Sequence, residues 1–134
     1  MHLTIHTDGG SLNNPGPAAI GFLIHEGENC LYRHSEAIGL ATNNVAEYTA
    51  LIRALSYVKT HFSGQIQHIA IIADSELMIR QVNGLYKVKH IDIKPLHTQV
   101  KFLEMELAVP ITYTHVLRDK NAEADALVKK ALGR

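Results

Sequence analysis

Along the first forty residues, apolar and polar positions alternate in short runs separated by turn chemistry. Leu3 to Thr7 reads as a strand that ends at Asp8-Gly9-Gly10, and Asn14-Pro15-Gly16-Pro17 closes the loop after it. Ala18 to His25 and Leu31 to Ile38 read as two more strands, joined around Gly27. Three strands linked by short turns predict an antiparallel meander. From Asn44 to about Phe62 the period changes: Tyr48, Leu51, Ile52, Leu55 and Val58 recur at helical spacing until Ser63-Gly64 stops them. Ile66 to Ala73 is almost continuously apolar, as expected of a strand buried on both faces. Helices are expected from Ser75 to about Val82, ended by Asn83-Gly84, and from about Lys94 to Leu107. Pro110 precedes a last strand, Ile111 to Val116, and Lys120 to Leu132 closes the chain as a helix. The order βββαβααβα predicts an α/β fold, one mixed sheet with helices packed on it. No repeat, linker or low-complexity stretch interrupts the pattern, so residues 1–134 are expected to form a single domain.

Composition narrows the class. A chain of 134 residues can bury roughly 70% of the surface its unfolded form exposes. No apolar run approaches the length of a membrane span, and no basic segment with an apolar stretch and cleavage site suggests export. Cys30 is the only cysteine and can build neither an internal disulfide nor a cysteine zinc site. A cytoplasmic monomer with no membrane partner is expected. Net charge is zero, which taken alone argues against a nucleic-acid partner. The distribution says otherwise. Residues 1–79 carry seven acids against three bases, whereas residues 80–101 carry Arg80, Lys87, Lys89, Lys94 and Lys101 against only Asp92. Such a stretch is a solvated face or, beside an acidic metal site, a track for phosphates.

Four carboxylates stand where strands or turns meet helix starts: Asp8, Glu47, Asp74 and Asp125. Each has a structural reading. Asp8-Gly9 suits a turn; Glu47 suits the third position of a capping box opened by Asn44; Asp74 suits a helix cap; and Asp125 suits a solvated helix face. Convergence separates the two readings. Asp8 and Asp74 follow apolar strands expected side by side at the sheet centre, and Asp125 sits between Ala124 and Ala126, which permit close approach to the sheet. Clustered carboxylates repel unless a cation neutralises them. A hard divalent ion with oxygen ligands, Mg²⁺ first and Mn²⁺ as an alternative, is the expected cofactor. Two such ions would stabilise the attacking and leaving oxygens of an in-line displacement at phosphorus. The other chemistry-bearing residues offer less. His2 and His6 lie on a strand, with His6 expected to pack in the core, and no nucleophile-elbow, P-loop or dinucleotide motif is present.

Thr7-Asp8-Gly9-Gly10, Thr42-Asn43-Asn44-Val45-Ala46-Glu47-Tyr48, Ala73-Asp74-Ser75 and Asn121-Ala122-Glu123-Ala124-Asp125-Ala126-Leu127 together resemble type 1 ribonuclease H, in the family's order and over nearly the whole chain. The resemblance implies a ribonuclease H-like fold: a five-stranded mixed sheet, three antiparallel strands then two parallel, with helices on both faces. It also implies two-metal endonucleolytic cleavage of the RNA strand in RNA–DNA hybrids, leaving 3′-hydroxyl and 5′-phosphate ends. Asp8, Glu47, Asp74 and Asp125 match the catalytic and metal-binding quartet.

Gly9, Gly10, Asn14, Thr42, Asn43, Asn44, Lys87, Lys89 and Arg118 form the expected substrate-binding set. The paired asparagines Asn43 and Asn44 suit groove contacts, including the 2′-hydroxyl that marks RNA. Thr42 matches a position associated with a DNA-strand phosphate, and the arginine that follows in some relatives is Val45 here. The long basic protrusion of several members is reduced to Gly84-Leu85-Tyr86-Lys87-Val88-Lys89-His90, so the chain resembles the compact form. Some relatives place a mobile histidine after the last strand. Strand anchoring makes His115 a packing residue here and leaves Arg118 as the charged group expected nearest the fourth carboxylate. Two other readings remain: the same fold as a non-catalytic nucleic-acid-binding module, or an enzyme that also cuts double-stranded RNA.

Overall fold

The computed structural model describes Met1–Arg134, and its elements appear in the expected order. The strands are β1 (His2–Ser11), β2 (Gly16–Glu26), β3 (Asn29–Ala41), β4 (His68–Ala73) and β5 (Ile111–His115); the helices are α1 (Asn43–Phe62), α2 (Glu76–Val82), α3 (Lys94–Leu107) and α4 (Ala122–Ala131). They build one five-stranded sheet in the order β3-β2-β1-β4-β5. β1, β2 and β3 pair antiparallel, while β4 lies parallel to both β1 and β5. Helices cover both faces. No helix is long and apolar enough to cross a membrane.

The core explains the layering. Leu3 and Ile5 of β1, Phe22 and Ile24 of β2, and Ile69 and Ile71 of β4 meet the apolar stripe of α1, with Leu51 and Leu55 fully buried in it. Met78 and Val82 of α2 and Val100 and Leu103 of α3 complete the same cluster. α4 packs on the opposite face, against β2, β1 and β3.

Several expectations need correction. β1 does not end at a turn after Thr7: it continues through Asp8, Gly9 and Gly10 to Ser11, because Ala18 to Gly21 of β2 supply ladder partners for all four. β4 is not buried on both faces, since Ile69, Ile71 and Ala73 are buried and the residues between them only partly so. α1 is capped by Thr42, whose Oγ1 accepts from the Val45 N–H at 3.2 Å, so Asn44 is no cap and Glu47 is no capping-box partner. Ser75, not Asp74, caps α2 through the Met78 N–H at 3.3 Å. A short 3₁₀ turn, Arg118–Lys120, precedes the final helix, which starts at Ala122 and not at Lys120. Ala124 faces the sheet, but Ala126 is exposed. His115 is exposed as well: it ends the edge strand β5, beyond the reach of the helices that partly cover Ile111 and Tyr113.

Candidate active site

The site forms where β4 stops and β1 does not. Thr7 pairs with Ala73, the last residue of β4, so Asp74 leaves the sheet beside Asp8, which still pairs with Gly21 of β2. Glu47 joins them from α1, its Oε1 accepting the Gly9 N–H at 3.0 Å. The helix comes this close because position 9 carries no side chain: a Cβ there would lie 2.3 Å from the Ala46 carbonyl. One oxygen from each of Asp8, Glu47 and Asp74 lies within 4.8 Å of the others.

Asp125 approaches from the other face. α4 lies tight on β2 at Gly21, where a Cβ would meet the Leu127 Cβ at 2.6 Å. Asn121, buried to 1% exposure, fixes the start of that helix: its Nδ2 donates to the Thr7 carbonyl at 2.9 Å, and its own carbonyl accepts the Asp125 N–H at 3.1 Å. Asp125 lines the same cleft as the other three carboxylates but stands outside the close trio, with its Oδ2 held by Lys129 Nζ at 2.9 Å.

Burial and mutual repulsion set the electrostatics. Burial pushes the Asp8 carboxyl up to about 8, and the charges of Asp74 and Asp125 add to the rise against the Gly9 N–H, which opposes it. Glu47 is raised well above the usual carboxylate range, by burial first and then by Asp8 and Asp74. Three negative charges therefore resist coexisting at neutral pH until a cation joins them. The donors are all carboxylate oxygens, which matches a hard divalent ion and not a soft one.

The cleft, about 400 Å³, gathers Asp8, Gly9, Gly10, Asn43, Glu47, Asp74, Arg118 and Asp125 from the expected set. Arg118 is placed differently from expectation: its Nε lies 3.9 Å from Asp74 Oδ2, so its ion pair is with the third carboxylate, while the fourth is taken by Lys129. Asn43 has a scaffold role as well, its Oδ1 accepting the Ser11 N–H at 2.9 Å and its own N–H donating to Asn14 Oδ1 at 3.0 Å. Asn14, Thr42 and Asn44 line a neighbouring cavity instead. Lys87 lines a third, of about 450 Å³, with Lys94, His97 and Lys101, and Lys89 lines none of these three. Ser11, Lys129 and Arg134 line the cleft without having been anticipated. Only Lys129 carried a signal, its spacing of four from Asp125 on one helix.

Comparison with known proteins agrees with this geometry. The reverse transcriptase-like family matches residues 6–131. Ribonuclease HI of Halobacterium salinarum is 35% identical over 129 residues, 93% of this chain and 61% of that protein. The bifunctional protein Rv2228c of Mycobacterium tuberculosis is 38% identical over 98% of this chain, which spans 36% of it. The solved structure of LC11-RNase H1 in complex with an RNA/DNA hybrid superposes with a TM-score of 0.93 at 40% identity, covering 98% of this chain and 96% of that one. Fold, carboxylate cluster and relatives agree, and the chain belongs to the type 1 ribonuclease H family. It has the compact form, since 83–92 is a short, mostly exposed connection and not a helical protrusion.

Proposed function

We propose that residues 1–134 act as one ribonuclease H unit that hydrolyses the RNA strand of RNA–DNA hybrids, leaving 3′-hydroxyl and 5′-phosphate ends. The observation that carries this reading is the trio Asp8, Glu47 and Asp74, with oxygens within 4.8 Å in a cleft open to solvent beside the start of α1. The hybrid seen in the complex of LC11-RNase H1 supports the choice of substrate. Asp8, Glu47 and Asp74 would hold the metal, with Asp125 at the rim, and Mg²⁺ is proposed as the ion, with Mn²⁺ acceptable to the same donors. A pair of ions bound there supplies an activated water and charge stabilisation at the leaving oxygen.

The chain's own residues do the rest. Gly9 orients Glu47 through its N–H, and Asn121 and Lys129 hold Asp125 at the cleft. Arg118, with its side chain 81% exposed beside Asp74, is free to bind a phosphate oxygen and offset the charge that builds during displacement. It cannot exchange a proton near neutral pH, so its role is electrostatic. A binding module without catalysis has no need of four carboxylates on one cleft. The test is direct: purified protein with labelled RNA–DNA hybrid, double-stranded RNA and single-stranded RNA, each with Mg²⁺, Mn²⁺ or chelator. The reading requires metal-dependent cutting of the hybrid's RNA strand, and hybrid left intact in both metals would refute it.

A further inference from the structure

The four carboxylates of the cleft are unequally provided with cations. Asp8 and Glu47 form no ion pair, Asp74 faces Arg118 Nε at 3.9 Å, and Asp125 Oδ2 is held by Lys129 Nζ at 2.9 Å. The tightest pair thus falls on the one carboxylate that stands outside the close trio. Lys129 lines the cleft itself, so its ammonium stands within the space an arriving ion would enter.

Helix α4 builds this pair from its own sequence. Acid and base lie four residues apart with the acid on the N-terminal side, the orientation that favours a contact along one helix face. Asn121 anchors the start of the helix to the Thr7 carbonyl at 2.9 Å, so Asp125 and Lys129 can part by side-chain rotation and not by movement of the backbone. The Asp125 side chain is 16% exposed and that of Lys129 56%, so the lysine is the partner that can swing into solvent. Its charge is a compact ammonium on a flexible stem. The pair also has a use without metal, because the Asp125 charge reaches Asp8 across the cleft and Lys129 offsets it.

We propose that Lys129 is a positioning residue that acts through Asp125: its ammonium occupies a cation's place at the fourth carboxylate, and a divalent ion must displace it to gain that ligand. This rests on the reading of the carboxylates as a metal centre. An oxygen engaged with an ammonium at 2.9 Å is not a free ligand, and Mg²⁺, which gives up its waters reluctantly, competes for it at a disadvantage. Lys129 therefore stabilises the metal-free cleft and loosens its hold on the ion.

The test is a calorimetric titration with Mn²⁺ in low-salt buffer without nucleic acid, on the wild-type protein, Lys129→Met and Lys129→Arg, each with Asp125 and with Asp125→Asn. Lys129→Met should bind Mn²⁺ roughly two- to fivefold tighter than wild type, the scale of a partly exposed ion pair. It should also melt at a lower temperature in chelator and gain more from added Mn²⁺. Lys129→Arg should behave as wild type, because it keeps the pair. In the Asp125→Asn background, Lys129→Met should leave the affinity unchanged. Equal Mn²⁺ affinity in wild type and Lys129→Met would overturn the proposal, and so would the same tightening with Asn at position 125, which would assign the effect to the general field of the lysine. A wild-type protein that binds no Mn²⁺ would overturn the metal centre as well. The predicted pattern of affinities in a protein that leaves hybrid intact would support the proposal and overturn the nuclease reading alone.

Discussion

The Gly9 amide and the Glu47 carboxylate are joined by a 3.0 Å hydrogen bond across the contact between β1 and α1, at a point where the backbone of Ala46 leaves no room for a Cβ on residue 9. One glycine thus sets both the approach of the helix and the aim of its carboxylate. Gly9→Ala should cost about 1–3 kcal/mol of stability through overpacking and should reduce cleavage by displacing Glu47. Gly10→Ala is the control, because a Cβ there finds its nearest neighbour at 3.8 Å, an ordinary contact. Urea unfolding and hybrid cleavage of the two variants check the contrast. Equal effects at both positions would contradict it.

The raised carboxyls give a signed pH dependence. The folded Asp8 holds its proton up to about 8, well above an unfolded carboxylate, so folding takes up protons between those limits. Stability of the metal-free protein should therefore rise as pH falls from above that value toward the usual carboxylate range. Asp8→Asn should flatten the curve and raise the melting temperature at alkaline pH. Thermal melts in chelator across this range decide the matter, and a melting temperature that falls over the same interval would reverse the sign.

Divalent metal must displace those protons to bind. Mg²⁺ affinity should increase as pH rises toward 8, with proton release visible as a dependence of calorimetric heat on the buffer's ionisation enthalpy. An affinity independent of pH would show that Asp8 and Glu47 are already ionised without metal.

Arg118→Ala should lower kcat by roughly 10- to 100-fold, the scale of a positioned charge acting on a developing one, with little change in the melting curve. His115→Ala should leave stability nearly unchanged, because the residue is exposed at the end of an edge strand. The measurement is kinetics and melting of both variants. Lost turnover in a folded His115→Ala enzyme, beside an active Arg118→Ala, would exchange the two roles.

The strand and helix order was readable because each element has a period of its own, and α3 was read with its observed limits, with Pro95 in its first turn and Ala108 in the left-handed conformation at its end. Errors arose where pairing overruled local chemistry. Asp8-Gly9-Gly10 has the composition of a turn, yet pairing with Gly21, Ile20 and Ala19 of β2 kept it in the ladder. The four carboxylates and most of the cleft followed from strand adjacency and from the family's motifs. The distinction between a close trio and an outlying Asp125 did not, because it depends on the Lys129 pair and on the Asn121 anchor reaching 114 residues back to Thr7.

The central claim is that Asp8 helps to hold the metal that drives phosphodiester hydrolysis. Cleavage of a labelled RNA–DNA hybrid in Mg²⁺ by the Asp8→Asn protein, with its fold verified by circular dichroism, tests it most directly. The account predicts a folded protein that binds hybrid and does not cut it. Cleavage by that variant at close to the wild-type rate would contradict the account.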